Sequence, residues 1–372
     1  MNQAVKENYL RKTRVLVAPL NWGLGHATRC IPIIRELLRQ NMEVLVAGDG
    51  PSQALLQNEF PDIVFIPLPG YEIRYSSSAL GLVWQIISGI PNILRSIRSE
   101  NKWLQNAVKK YSLDGVISDN RYGLYNDQIP CIFVTHQLTI KSPFGRLSEK
   151  ILQRWNYRWL NQFTECWIPD SESNDNLAGD LSHPEKMPGT RVRYINPLTR
   201  FEKKPIAETK DNLIVILSGP EPQRGILEDK IIRELKNHYQ PVTIVRGLPT
   251  GSSIIPSFGQ IIFYNHLPAD ELNSAVQSAE FVISRSGYST IMDMAKLKKK
   301  TILIPTPGQT EQEYLANHLF KNGIAFCTTQ KKFSFQDSLS RAREFDYRFP
   351  DIQENDFLHN AVREFVLSIQ SR

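Results

Sequence analysis

Short apolar runs alternate along this chain with longer segments whose apolar positions recur at helical spacing. The first half carries Val15-Leu16-Val17-Ala18, Val44-Leu45-Val46, Ile63-Val64-Phe65-Ile66, Gly115-Val116-Ile117-Ser118 and Cys131-Ile132-Phe133-Val134. The second half carries Leu213-Ile214-Val215-Ile216, Val242-Thr243-Ile244, Gln260-Ile261-Ile262-Phe263, Phe281-Val282-Ile283 and Thr301-Ile302-Leu303-Ile304. Runs this short and continuously apolar predict strands covered on both faces, as in a parallel sheet. Between them lie helical patterns, including a long one over residues 80–110. The stretch 330–353 reads as polar and irregular. Asp356 to Ile369 reads as an amphipathic helix able to pack back across the molecule.

The two halves repeat each other at an offset of 198 residues. Val15 to Ala18 falls on Leu213 to Ile216, Ile33-Ile34-Arg35-Glu36-Leu37 on Ile231-Ile232-Arg233-Glu234-Leu235, and Val44 to Val46 on Val242 to Ile244. Equal strand, loop and helix lengths predict two doubly wound α/β domains of similar build. Residues 1–200 form the expected first domain and 210–353 the second, with 354–372 as the returning helix. The segment Asn196 to Asn212, rich in Pro, Lys and Glu, is the expected linker. Ligands of such sheets bind at the carboxyl ends of the strands, so two of them predict a cleft.

Composition changes this picture little. The chain has 372 residues, 41% hydrophobic and 22% charged, with a net charge of +6. That length fits two domains. The four cysteines, Cys30, Cys131, Cys166 and Cys327, lie far apart with no C-x-x-C pair, which disfavours a zinc site or a disulfide framework. A reducing cytoplasm fits them. Met1 to Arg14 is polar and charged, unlike a signal peptide. Gly81 to Leu94 is the longest apolar stretch, and it is too short to span a bilayer. Basic charge gathers in the first half. Residues 84–110 hold five cations against Glu100, and residues 141–160 hold five against Glu149. The second stretch interleaves Phe144, Trp155, Tyr157 and Trp159 with its cations. Together with the apolar residues from Leu80 to Ile90, this suggests peripheral contact with a membrane through 80–110 and 141–160. The plainer reading is a solvated helix with an aromatic core face. No nucleic-acid module is recognisable, so nucleic acid is not an expected partner.

Candidate chemistry lies in the turns after strands. Gly23-Leu24-Gly25-His26 follows the first strand and opens a helix. It resembles the start of a dinucleotide fingerprint, but Thr28 replaces the third glycine. His26 stands at that turn and can accept a proton near neutral pH. Ser218-Gly219-Pro220-Glu221-Pro222-Gln223-Arg224 is the matching turn of the second half. Ile283 to Asp293 reads as strand, glycine turn and helix start, with small residues exposing backbone N–H groups to a phosphate. Arg285, Ser286, Gly287 and Tyr288 belong to that turn. Asp293 could hold ribose hydroxyls, although Thr290-x-x-Asp293 is also the spacing of a capping box, as is Thr310-x-x-Glu313. The chain has no Asp-x-Asp, so helix N-termini and cations are expected to meet a diphosphate's charge in place of a metal.

In this order the motifs resemble GT-B glycosyltransferases of the family 28 type, the group that includes the bacterial N-acetylglucosaminyltransferase completing lipid II. The resemblance spans nearly the whole chain. It implies a GT-B fold of two Rossmann-like domains and a nucleotide-sugar, UDP-linked, bound by the second. On that resemblance Asp293 holds the ribose, Gln312 and Glu313 lie near the donor sugar, and the backbone at His266 and Leu267 meets the base. Ser218, Gly219, Ser286, Gly287 and Tyr288 surround the diphosphate, aided by Gln223 and by Arg224 or Arg285. Gly23, Gly25 and His26 form the acceptor side. Asp in place of Glu at 293, Glu in place of Gln at 313, and the proline-rich turn at 219–224 point to a relative of that enzyme.

The expected activity is an inverting, metal-independent transfer of a sugar from a nucleotide-sugar, a substrate and not a cofactor, to a glycan or lipid-linked acceptor. His26 is the expected base, with Asp119 in reserve. The expected site is cytoplasmic, at the inner face of a membrane. A nucleotide-sugar hydrolase or epimerase, a non-catalytic binding module, and a nicotinamide enzyme using the first domain are the alternatives.

Overall fold

A computed structural model describes residues 11–21, 23–69, 79–219, 221–236, 239–249, 255–352 and 356–371, with side chains of 79–91 outside the description. The apolar run Leu80 to Ile90 therefore lies outside the described side chains. Strands alternate with helices from end to end. β1 (Arg14–Pro19), β2 (Glu43–Gly48), β3 (Val64–Pro67), β4 (Gly115–Asp119), β5 (Cys131–Val134), β6 (Glu165–Ile168) and β7 (Arg191–Tyr194) form one sheet in the order 3-2-1-4-5-6-7. β8 (Thr209–Ile216), β9 (Val242–Val245), β10 (Ile261–Tyr264), β11 (Ala279–Ser284), β12 (Thr301–Leu303) and β13 (Phe326–Cys327) form a second, in the order 10-9-8-11-12-13. Every pairing between these strands is parallel. This is the GT-B architecture of two Rossmann-like domains.

The 198-residue offset lands on matching elements. It carries β1 to β8, β2 to β9, and α1 (Leu24–Arg39) to α5 (Gln223–Leu235). In each sheet the strand order reverses beside the first strand, between β1 and β4 and between β8 and β11. Ligands of doubly wound sheets bind at that switch point, and the carboxyl ends of these four strands bring together Asp119 at the end of β4, His26 at the start of α1, and Ser218 and Arg285 in the turns after β8 and β11.

Side chains alternate between faces along each strand. Val15, Val17, Val44 and Val46 face a core with Ile31, Ile34 and Leu37 of α1, whereas Leu16, Ala18, Leu45 and Ala47 face Leu104 and Ala107 of α3 (Ala79–Tyr111). The first of these cores does not stop at the domain boundary. It runs on through Tyr288, Ile291, Met292 and Ala295 of α7 (Tyr288–Leu297) and Leu315 and Leu319 of α8 (Thr310–Lys321). It also takes in Ala361, Val362, Phe365 and Val366 of α10 (Phe357–Gln370). α10 thus returns to the first sheet, and a Cβ at Gly115 would sit 2.7 Å from the Phe365 ring. The second sheet is covered by α5 and α9 (Phe335–Glu344) on one face and α6 (Ala269–Ser278) on the other.

One expectation is corrected, and two strands are added. The polar stretch 330–353 contains α9, whose Phe335, Ser338, Leu339 and Ala342 are buried. Its narrow apolar face is lost among charged residues in the sequence. Strands β6 and β7 close the far edge of the first sheet and were not anticipated, since Glu165, Arg191 and Arg193 interrupt their apolar pattern. Those charges pair with one another, Arg193 Nε standing 2.7 Å from Glu165.

Candidate active site

Gly23 holds φ at +77°, a conformation that glycine adopts without strain, and turns the chain from β1 into α1. His26 follows in the first turn of the helix, its side chain 12% exposed. Asp119, the last residue of β4, is fully buried and stands 3.0 Å from His26 Nδ1. Arg29, one helical turn after His26, donates from Nε to Asp119 Oδ2 at 2.6 Å and reaches Oδ1 with Nη2. The same Nη2 stands 2.7 Å from His26 Nδ1. Burial alone would raise the Asp119 carboxyl, but Arg29 and His26 prevail and hold it down at about 2. His26 is lowered from its ordinary value, first by burial and then by Arg29, with Asp119 opposing. At neutral pH the site therefore holds a carboxylate and a neutral imidazole.

The second domain closes on this cluster. Ser289 at the start of α7 donates to the Gly25 carbonyl at 2.8 Å. Tyr288 donates to the Pro169 carbonyl at 2.9 Å and stacks on His136, ring centroids 4.1 Å apart and planes within 6°. His136 follows β5. Its Nδ1 lies 3.3 Å from Arg29 Nη1, and its Nε2 lies 2.8 Å from Glu311 on the first turn of α8. Burial pushes Glu311 up, but His136 outweighs it and the carboxyl sits below its usual range. Sequence reasoning did not single out Arg29, His136 or Glu311. Arg29 is three residues from His26 on one helix face, and His136 lies just past the end of a strand whose neighbour ends on Asp119, which are the available signals.

On the donor side, α5 and α7 both begin at the carboxyl edge of the second sheet without a side-chain cap. A Cβ at Gly219 or Gly287 would meet nothing within 4 Å, so open space lies over both turns. At α7 the first backbone N–H groups and the positive helix end face it, whereas at α5 the Gly225 N–H already donates to Glu221 Oε2 at 3.0 Å, so a carboxylate sits at that helix start. Ser218 precedes the first turn, while Ser286 is buried and donates to the Gln312 carbonyl at 2.9 Å. The arginines are differently placed from expectation. Arg285 is buried and donates to the carbonyls of Ile304, Pro305 and Gln223. Burial lowers its guanidinium to about 10. Arg224 pairs with Glu221 and Glu228. Both shape the turns, and neither side chain is aimed at the open space. Gln223 Oε1 is buried there without a hydrogen-bond donor.

Asp293 is not a capping residue. The N-cap of α7 is Gly287, so Asp293 lies in the second turn. Thr199 of the linker donates to it at 2.5 Å. Burial raises its carboxyl to about 6 in spite of Arg200 and Thr199 beside it. Arg200, another residue the sequence did not flag, has a buried Nε with no acceptor. Gln312 Oε1 accepts from the Thr306 N–H at 2.9 Å and Glu313 accepts from the Gly308 N–H at 3.0 Å, so both brace the loop before α8. His266 is half-buried and lowered by burial and Arg200, and Leu267 is buried beside it.

Residues 252–348 match the glycosyltransferase family 28 C-terminal domain. The chain is a GT-B glycosyltransferase whose second domain matches the family 28 type. Its relatives include a UDP-N-acetylglucosamine–N-acetylmuramyl-(pentapeptide) pyrophosphoryl-undecaprenol N-acetylglucosamine transferase of Haemophilus ducreyi, 22% identical over 85% of both chains. The solved MurG of Acinetobacter baumannii matches with a TM-score of 0.51 at 14% identity, covering 97% of this chain and 100% of that one. The spinosyn rhamnosyltransferase SpnG complexed with thymidine diphosphate matches with a TM-score of 0.58 at 14% identity, covering 96% of each chain. In this glycosyltransferase no helix among the described residues is long and apolar enough to cross a membrane.

Proposed function

We propose that this glycosyltransferase transfers a sugar from a UDP-sugar to the hydroxyl of a lipid-linked acceptor, with inversion and without a metal. The observation that carries the chemistry is His26 Nδ1 facing the buried Asp119 carboxylate at 3.0 Å. With its proton on Nδ1, the imidazole presents an unprotonated Nε2. That nitrogen takes the acceptor's hydroxyl proton as the oxygen attacks the anomeric carbon. The bond from that carbon to the phosphate oxygen breaks, and the nucleoside diphosphate leaves with the electron pair. A single displacement inverts the anomeric centre.

The departing diphosphate would lie over Gly219 and Gly287, met by the N-terminus of α7 and, once Glu221 releases the Gly225 N–H, by that of α5. At α7, fixed N–H dipoles aimed at developing charge do this work without reorganising, and the absence of Asp-x-Asp from the chain fits a metal-independent reaction. Asp293 would bind the ribose after exchanging Thr199 for a sugar hydroxyl, and His266 and Leu267 would border the base. Gln312 would reach the sugar through its amide nitrogen. The UDP preference rests on the Haemophilus relative, whose name specifies a UDP-sugar and an undecaprenol-linked acceptor.

An acceptor on a lipid calls for a membrane-facing surface, and α4 (Arg146–Leu160) supplies one. Phe144, Leu147 and Ile151 are exposed, and the half-buried Trp155 and Trp159 follow at four-residue spacing, Trp155 packing inward on Tyr122. Arg146, Lys150, Arg154 and Arg158 form an exposed basic stripe beside them. Apolar and cationic stripes side by side suit the anionic inner face of a membrane.

The test is a thermal-shift screen of UDP-, GDP- and dTDP-sugars, followed by transfer assays with His26→Ala. Stabilisation by a UDP-sugar, with transfer lost in the variant, is the expected result. No stabilisation by any of them would sink the donor assignment. Full activity in His26→Ala would sink the base.

A further inference from the structure

One histidine of the first domain is gripped by the second domain on two sides. Tyr288 lies flat on the ring of His136 and Glu311 meets its Nε2 edge. Thr310, the neighbour of Glu311, donates to the Lys141 carbonyl at 3.1 Å and pins this turn of α8 to the first domain. Gln137 also borders the His136 Nε2, at 3.4 Å. The free edge of His136 points at Arg29, and Arg29 touches both members of the His26–Asp119 pair.

The hydrogen-bond inventory makes these contacts directional. Glu311, ionised, only accepts, so it draws the proton of His136 onto Nε2. The Nδ1 of His136 is then an acceptor for Arg29 Nη1. Arg29 is thereby held at both edges, by Asp119 on one and His136 on the other. The crowded atom is His26 Nδ1, which has two neighbours of opposite demand. Asp119 asks it to donate and Arg29 Nη2 asks it to accept. One nitrogen of a neutral ring cannot do both. If it donates, Nε2 is free to take a proton from an acceptor hydroxyl. If it accepts, Nε2 carries the proton and the ring cannot act as a base.

We propose that Glu311 and His136 are positioning residues that act through Arg29 to keep the proton of His26 on Nδ1, so that docking of the second domain sets the competence of the base. This rests on His26 being the base, as read above. With Glu311 withdrawn, His136 loses its fixed tautomer and Arg29 loses its second anchor. Its Nη2, already 2.7 Å from His26 Nδ1, is then free to strengthen that contact at the expense of the one between His26 and Asp119. The reaction centre is thus armed only when the two domains are together, which limits proton uptake in the open enzyme.

Two-bond proton–nitrogen NMR of the histidine side chains tests this on the whole protein without substrate, since it reads which nitrogen of each neutral ring is protonated. In the wild type, His136 should carry its proton on Nε2 and His26 on Nδ1. Glu311→Ala should shift the His26 signal toward the Nε2–H form. Glu311→Gln, whose amide oxygen still accepts from His136, should restore the wild-type pattern. His136→Leu keeps the interface apolar and removes the acceptor for Arg29, and serves as the second probe should Glu311→Ala not fold. It should move His26 in the same direction. An unchanged His26 tautomer in these variants, or a wild-type His136 protonated on Nδ1, overturns the proposal. Because no transfer is measured, a failure here is distinct from a failure of the base assignment, which only the His26→Ala activity decides.

Discussion

Two buried aspartates carry opposite electrostatic consequences. Asp119 has Arg29 and His26 against it and sits at about 2. A lowered carboxyl stabilises the fold above the unfolded value near 3.8, and that stability fades as pH falls toward about 2. Replacing it with Asn leaves the Arg29 guanidinium buried without its anion. Asp119→Asn is expected to lose about 3–5 kcal/mol in denaturant unfolding at pH 7. Asp293 is raised to about 6 from 3.8. Its folded form holds the proton more tightly, so the favourable contribution is complete below 3.8 and is lost as pH rises through 6. Its ionisation at pH 7 costs roughly 3 kcal/mol on the scale of 1.36 kcal/mol per unit. Asp293→Asn should therefore melt a few degrees higher than wild type at pH 7 and no higher at pH 4, while stabilisation by nucleotide weakens. A lower melting temperature at pH 7 would contradict the burial argument. For His26→Ala, loss of the base should reduce kcat by about 10²–10⁴-fold. In the wild type the acid limb of the rate profile should lie below the ordinary histidine range, because burial and Arg29 lower that ring. Asp119 was visible in the sequence as a polar residue ending an apolar run. Arg29 and Glu311 were not, because their partners are 90 and 175 residues away, and single-chain spacing carries no trace of such contacts.

Among elements, the contact between the Gly23–His26 turn and the start of α7 constrains the site closely. A Cβ at Gly25 would lie 2.9 Å from Ser289 Oγ. Gly25→Ala should lower transfer activity, and adding Ser289→Ala should recover part of the loss by opening room for the methyl group. No recovery in the double variant would mean that the turn itself, and not the contact, is sensitive. α10 presents a different case. Phe365 is buried against the first sheet and meets Trp167 edge-on at 6.1 Å. Phe365→Ala should cost about 3–5 kcal/mol in unfolding free energy, with little effect on kcat in the protein that remains folded. Elements with clean periodicity were legible, which is why the strands of both switch points and the amphipathic α10 could be read directly. β6, β7 and α9 hid because their charged residues are satisfied by neighbours that the sequence places far off.

The apolar core shared by α1, α7, α8 and α10 joins both sheets. Scanning calorimetry should accordingly give one main unfolding transition, not one per domain. Two well-separated peaks would mean that the shared core contributes little. The internal repeat revealed the two-domain plan because parallel strands and their crossover helices repeat at fixed length. The way the domains face each other was not written in it, since that depends on Tyr288, Ser289 and Glu311 meeting side chains from the other half.

The return of α10 has a mechanical consequence. Because the last helix sits with the first domain, the chain crosses between the domains twice, once after β7 and again between α9 and α10. A body hung on one strand can swivel about any axis. A body hung on two is steered towards swinging about the line that joins its attachments. Any opening of the second domain would then be guided towards a door's swing, which would return Glu311 to the same histidine on closing.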